Sequence, residues 1–156
     1  MAELSPANRQ LLDTWRRSRL KIAFTNGVFD LLHPGHIAQL SAARGFGDVL
    51  FVGLNSDRSV RTLGKGEDRP VQDEAARREL LLALRAVDAV ELFDEPTPLE
   101  LIRLVRPDVL VKGADYAEDQ VVGADLVAGW GGRVELVPLV AGYSTSAIIE
   151  RIRRAK

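Results

Sequence analysis

Short runs rich in Val, Ile, Leu and Phe recur along the chain, at residues 21–25, 48–54, 88–93, 108–112 and 133–137. Within them apolar residues follow one another instead of alternating with polar ones. That pattern marks strands covered on both faces. Between them lie longer stretches with helical spacing, at residues 35–44, 73–85, 98–105, 118–130 and 146–154, and a further helix starts at Ser5-Pro6. Strands alternating with helices predict an α/β domain, a parallel sheet wrapped by crossover helices. Thr97-Pro98-Leu99-Glu100 reads as a capping box with proline at the first helical position. Ser144-Thr145-Ser146 supplies oxygens ahead of the stripe Ile148, Ile149 and Ile152, another helix start. Residues 61–68 (RTLGKGED) hold two glycines around a lysine without periodicity, which predicts a mobile loop. Gly45-x-Gly47 reads as a helix end and turn.

Length and charge narrow the possibilities. The 156 residues suffice for one domain. With no cysteine, disulfide frameworks, cysteine-ligated metals and thiol nucleophiles are excluded. Basic and acidic residues number 21 and 22, so no basic field for nucleic acid is present. The apolar runs are too short to span a bilayer, and MAELSPANRQ does not read as a signal peptide, so a cytoplasmic domain is expected.

Both histidines of the chain fall in Asp30-Leu31-Leu32-His33-Pro34-Gly35-His36. Pro34 has its φ preset for a first helical turn, and Gly35 permits close backbone approach. Because TNGVFD ends the first strand, the segment reads as strand, tight turn and helix N-terminus carrying two imidazoles. Free N–H groups and the positive end of the helix dipole suit phosphate there. Asp30, His33 and His36 also offer metal-ligand chemistry, but Pro34-Gly35 interrupts a regular helical face and no zinc pattern accompanies them. No G-x-S-x-G elbow is present, and no Ser or Thr follows Lys65 to make a phosphate-binding loop of the Walker type.

TNGVFDLLHPGH resembles the H-x-G-H signature of the cytidylyltransferase-like nucleotidyltransferases. The likeness continues through GLNSD, EDRP, the helix carrying Arg77, VDAVELF, TPLELI and RPDVLVKGADY to GYSTSAII. Within this superfamily the chain most resembles the adenylyltransferases acting on D-glycero-β-D-manno-heptose 1-phosphate, in their form without a sugar-kinase domain. The resemblance implies a Rossmann-like three-layer sandwich with a five-stranded parallel sheet, as a single domain over residues 1–156 with residues 1–19 as an N-terminal helical extension. It implies attack of the sugar-1-phosphate on the α-phosphorus of ATP, giving ADP-heptose for surface polysaccharide such as the lipopolysaccharide core, and pyrophosphate. A phosphate monoester is already ionised at neutral pH, so positioning and charge neutralisation are the main demands.

Roles follow from the same resemblance. His33, His36 and Lys65 are implied as catalytic, with His36 nearest the α-phosphoryl group. Asn26, Gly27, Val28, Phe29, Gly35, Arg61, Arg77, Gly142, Ser144, Thr145 and Ser146 are implied in nucleotide binding. Asp30, Lys112 and Asp115 are implied in binding the sugar phosphate. Mg²⁺ is expected to travel with the ATP phosphates instead of in a protein cage, and a homodimer or higher homo-oligomer is expected. Three departures bear on this. Leu139 stands where the glycerol-3-phosphate cytidylyltransferases carry arginine, which speaks against that branch and against CTP. Ser146 replaces a threonine and keeps its hydroxyl. Ala114 stands where the heptose branch often has glycine. A polyol-phosphate cytidylyltransferase and a non-catalytic nucleotide-binding regulator remain the alternatives.

Overall fold

A computed structural model describes residues 2–155. Five parallel strands, β1 (Ile22–Gly27), β2 (Val49–Asn55), β3 (Ala89–Phe93), β4 (Val109–Gly113) and β5 (Arg133–Val137), form one sheet in the order β3-β2-β1-β4-β5. The chain winds outward one way from β1 to β3, then returns to the other side of β1 for β4 and β5. Such a reversal opens a crevice between the carboxyl ends of β1 and β4, the usual ligand position in sheets of this kind.

Alternating side chains of the strands feed two cores. Ile22, Phe24, Phe51 and Leu110 face α1 (Pro6–Arg17), α5 (Leu99–Val105) and α6 (Ala124–Gly129). Ala23, Leu50, Val52, Val109 and Val111 face α2 (Pro34–Gly45) and α4 (Glu74–Leu82). All seven residues of β2 are buried, which explains its unbroken apolar run. The expected α/β sandwich and its five strands are therefore present. The N-terminal helix is no mere extension, because Leu12 and Trp15 are buried in the first core.

Other details differ from the sequence expectation. Residues 57–62 form an extra helix, α3 (Asp57–Thr62), capped by the Ser56 hydroxyl, so Arg61 and Thr62 belong to a helix and not to the following loop. Six residues hold too little periodicity to be read from sequence. The helix expected over 118–130 is broken into a 3₁₀ turn (Glu118–Gln120) and α6. Gly123 between them has φ +88, a left-handed conformation that ends one helical path and starts another. The capping box at Thr97 does not form, since α5 starts at Leu99 with Pro98 in the cap position and no side-chain cap hydrogen bond. The last helix, α7 (Thr145–Arg154), is capped as expected, with the Ser144 hydroxyl accepting from the Ala147 N–H at 3.0 Å.

The carboxyl ends of β1 and β2 are tied together by one buried cation. Arg77 on α4 is fully buried. Its Nη1 donates to the carbonyls of Val28 and Asn55, each at 2.8 Å, its Nε to Gln72 O at 3.0 Å and its Nη2 to Asp57 Oδ1 at 2.7 Å. Arg77, expected to contact nucleotide, thus has its guanidinium engaged by the protein's own oxygens. A planar guanidinium with five donors in a fixed fork can hold three main-chain oxygens and one carboxylate together. Removing it strands those acceptors in the interior, so Arg77→Ala should cost about 3 kcal/mol or more of unfolding free energy. Urea denaturation measures this, and a loss below about 1 kcal/mol would show that water replaces the guanidinium.

Candidate functional site

The site grows from the turn joining β1 to α2. His33 is the residue that caps α2, in extended backbone, and its Nδ1 accepts from the Gly35 N–H at 3.1 Å. An imidazole nitrogen that accepts is unprotonated, so the proton of neutral His33 sits on Nε2 as a free donor. Gly35 is needed here for room: a Cβ would lie 2.9 Å from both Cε1 and Nδ1 of His33. His36, one turn into the helix, stacks on His33 with ring centroids 3.8 Å apart and tilts against Phe29 at 5.3 Å.

Phe29 holds a left-handed backbone, φ 48, which is unfavourable for a bulky residue. Both its neighbours are clamped. Val28 gives its carbonyl to Arg77. Asp30, fully buried, receives the Arg69 Nε at 2.7 Å, the Val71 N–H at 2.9 Å and the Gln72 N–H at 2.9 Å. Burial pulls the Asp30 pKa upward, but the Gln72 and Val71 amides and the Arg69 guanidinium outweigh it and hold the carboxylate ionised. Asp30, expected to meet the sugar, uses its carboxylate to hold the turn through Arg69, Val71 and Gln72. Arg69 was visible in the EDRP stretch, but nothing local there announced an ion pair across 39 positions.

Around these residues lies a cleft of about 480 Å³. Val28, Phe29, Asp30, His33, Gly35, His36 and Lys65 line one side, and residues 139–141 and 143–146 close the other. The Thr145 hydroxyl donates to Leu31 O at 3.3 Å, and the Tyr143 ring stacks on His33 at 6.2 Å, so the start of α7 is laid against the histidine turn. Lys65 is exposed on its loop and is felt electrostatically by both His36 and Lys112. An ion pair between Asp68 and Arg153 joins that loop to α7.

Of the remaining expected residues, Asn26 and Gly27 end β1 beneath the turn. Gly142, at φ +84, separates the cleft-lining Ala141 and Tyr143. Lys112 and Asp115 lie at and beyond the carboxyl end of β4, beside the cleft. Arg61 is exposed on α3, outside the cleft lining, and its expected contact with nucleotide is not supported there. Gln39, Arg69 and Tyr143 line the cleft without having been expected. They lie 3 to 107 positions from His36, and only folding collects them. A second cleft of about 480 Å³ lies at the β3 end, where Glu3, Glu74, Asp94 and Glu95 outnumber Arg58 and make it net acidic, which disfavours anions.

Electrostatics suit the first cleft to an anion. Burial drives the His36 pKa down to about 4, the charges of His33 and Lys65 push the same way, and the Leu31 carbonyl opposes them. Burial also lowers His33. Both imidazoles are neutral donors at pH 7, and the His36 Nδ1 is buried without a hydrogen-bond partner.

Comparisons with known proteins agree with this geometry. The family model for cytidylyltransferase-like proteins matches residues 24–151. "Bifunctional protein HldE" of Gluconobacter oxydans is 56% identical over 146 residues, covering 94% of this chain and 30% of that protein. The protein of the same name from Koribacter versatilis is 58% identical over 142 residues, with 91% and 29% covered. The chain thus spans less than a third of the length of these relatives. A crystal structure of a lipopolysaccharide core biosynthesis protein from Thermoplasma volcanium is similar at 30% identity and a TM-score of 0.64, covering 78% of this chain and 97% of that one. A pantoate-beta-alanine ligase from Francisella tularensis shares the fold at 16% identity and a TM-score of 0.59, with 95% and 78% covered. The chain belongs to the cytidylyltransferase-like family.

With only two histidines, their titration can be read directly. In the free protein His36 should stay neutral until the pH falls to about 4, instead of titrating near its ordinary 6.5. A non-hydrolysable ATP analogue should raise both histidine pKa values, because phosphate charge favours imidazolium. Imidazole nitrogen NMR between pH 3 and 8 checks this, and a His36 midpoint near 6.5 in the free protein would contradict the burial argument. The sign for stability follows. The unfolded chain takes up the proton between pH 6.5 and about 4, so the His36 contribution is intact above pH 6.5 and is lost as the pH falls through that window.

Proposed function

We propose that this member of the cytidylyltransferase-like family is an adenylyltransferase that moves AMP from ATP to D-glycero-β-D-manno-heptose 1-phosphate. The observation that carries the reading is the pair of stacked, neutral imidazoles at the start of α2, facing a cleft that also holds Lys65 and the Ser144–Ser146 hydroxyls. A helix N-terminus, hydroxyls and a lysine form a receptor for a polyphosphate. An oxygen of the sugar phosphate bonds to the α-phosphorus, the bond from that phosphorus to the bridging oxygen breaks, and pyrophosphate leaves with the electron pair. No proton has to be removed from the nucleophile. The protein's part is to align the groups and to donate hydrogen bonds where negative charge gathers.

Within this reading His36 donates to the α-phosphoryl oxygens and His33, through its free Nε2–H, to the neighbouring phosphate. Lys65 closes over the β- and γ-phosphates. Within this reading Mg²⁺ is carried by the triphosphate instead of a protein cage. When bound, that ion neutralises phosphate charge. Support for the sugar comes from the relatives, two of which are named HldE while a third is described by lipopolysaccharide core biosynthesis. Support for ATP comes from Leu139, which lines the cleft as an exposed apolar residue without charge.

Pyrophosphate release measured over a matrix of nucleoside triphosphates and sugar or polyol phosphates tests the proposal. ATP with heptose 1-phosphate should give the highest kcat/KM. A value for CTP equal to or above that for ATP would favour the polyol-phosphate cytidylyltransferase, and no release with any pair would favour a nucleotide-binding regulator. His36→Ala should keep the fold and lower kcat by about a hundredfold, as when one transition-state donor is removed. Normal turnover by that variant would remove His36 from the mechanism.

A further inference from the structure

Another crevice, of about 440 Å³, opens at the amino ends of β1 and β4, away from the histidines. Arg16, Arg19, Lys21 and Arg106 line it, with Asp108 as the only carboxylate among its described lining residues. That carboxylate is already used, since its Oδ2 accepts the Ile22 N–H at 2.8 Å. Asp48, nearby, takes the main-chain N–H of Lys21 at 2.7 Å. Arg16 is engaged as well: its Nη2 donates to the carbonyls of Leu104 and Val105, and Asp13 lies 4.0 Å from its Nη1. Among the described residues the side chains of Arg19 and Lys21 make no hydrogen bond and no ion pair.

Two of these cations stand on backbone that favours glycine. Arg19 has φ 56 and Arg106 has φ 49. Arg19 follows the cap of α1 in a Schellman arrangement: its N–H reaches Arg16 O, and the Leu20 N–H reaches Trp15 O, both at 3.0 Å. Arg106 ends α5 in the left-handed form, with its N–H on Ile102 O at 2.8 Å. Glycine is the usual residue at such positions, because a side chain there is strained. Cations near a helix end do complement its dipole. Arg16 and Arg17 in α1 and Arg103 in α5 already supply that from within the helices. The strain at Arg19 and Arg106 is therefore not explained by the helices they end. The Arg106 guanidinium sits 5.4 Å over the Trp130 ring, whose Nε1 donates to Pro107 O at 2.9 Å. An arginine held on an aromatic face keeps the donors at its edge free for an anion.

We propose that this crevice is a second anion site, for a small molecule that carries linked phosphates. Guanidinium groups take phosphate oxygens in pairs, and a lysine adds a point charge. Arg19, Lys21 and Arg106 supply both kinds of group around one space, and its volume lies in the range of small-molecule sites. The ligand's charge is what the strained arginines are kept for. The site goes beyond the transfer reaction and does not depend on it, because no residue of the histidine cleft takes part.

Trp130 reports on this site, while Trp15, the chain's other tryptophan, is buried in the first core. Protein labelled with 5-fluorotryptophan gives a fluorine resonance from each, assigned with Trp130→Phe. Pyrophosphate should move the Trp130 resonance saturably and at lower concentration than inorganic phosphate. Sodium chloride of equal ionic strength should not move it. Arg19→Gly and Arg106→Gly relieve the left-handed backbone, so each should keep or raise the midpoint of thermal unfolding. Each should nevertheless weaken pyrophosphate binding by about tenfold, as one charge-assisted contact is lost. Arg19→Lys should weaken it less. No saturable movement, equal movement with sodium chloride, or unchanged affinity in both glycine variants would overturn the site. A lower unfolding midpoint in both variants would show that the side chains serve the helices, and would overturn it too. So would a hexaglutamate peptide that acts at lower concentration than pyrophosphate, since the crevice would then be a docking place for protein. Pyrophosphate in the histidine cleft moves the imidazole signals, and movement of those alone would equally overturn the site.

Discussion

The turn between β1 and α2 depends on two guanidinium groups that the interior holds. Phe29 occupies a backbone conformation that costs free energy, and it persists because the residue on either side is fixed from elsewhere in the chain. Arg77 takes the Val28 carbonyl, and Arg69 with two main-chain amides takes the Asp30 carboxylate. The clamps come from α4 and from the segment just before it. Placing the Phe29 ring against His36 and starting α2 at Pro34 both follow from that fixed turn. The histidines are thus positioned by charges that are paired within the protein.

This division of labour explains why the cleft can be cationic without being unstable. The cations that organise the site are neutralised at close range, Arg69 by Asp30 and Arg77 by Asp57 and three carbonyls. The groups that face the cleft are kept neutral or set apart. The imidazoles lose their charge to burial and to each other, and Lys65 stands on an exposed loop. An entering polyphosphate therefore meets donors already in place, and its own charge then makes protonating them easier. Preorganised donors of this kind need little rearrangement when charge develops.

Much of the architecture was legible because sheet burial leaves a local trace. Apolar runs that do not alternate gave all five strands within a residue or two of their ends, since each run must be covered on both faces wherever it lies. The histidine turn was legible for a similar reason: strand, proline, glycine and two imidazoles sit within a dozen residues. What escaped notice was short or non-local. α3 has too few residues for a period, and the break at Gly123 depends on how 121 and 127 enter the core. Thr97 carried a capping pattern whose bond the fold did not use.

The sequence by itself determined the fold class, the family likeness and the position of the imidazole pair, because each is written in neighbouring residues. Only the tertiary structure decided what the long-range charges do. Arg77 and Asp30 looked from sequence like residues that meet a ligand, and both turned inward to hold the turn. Lys112 looked similar and stayed at the carboxyl end of β4, with the Tyr116 ring 5.3 Å from its Nζ. The physical reason is that the fate of a charge depends on which oppositely charged or hydrogen-bonding groups reach it. Here, apart from the Gln72 carbonyl five positions before it, the partners of Arg77 are 20 to 49 positions away, and those of Asp30 are 39 to 42. No local pattern records a pairing across that distance, and only the packed sheet brings the groups together.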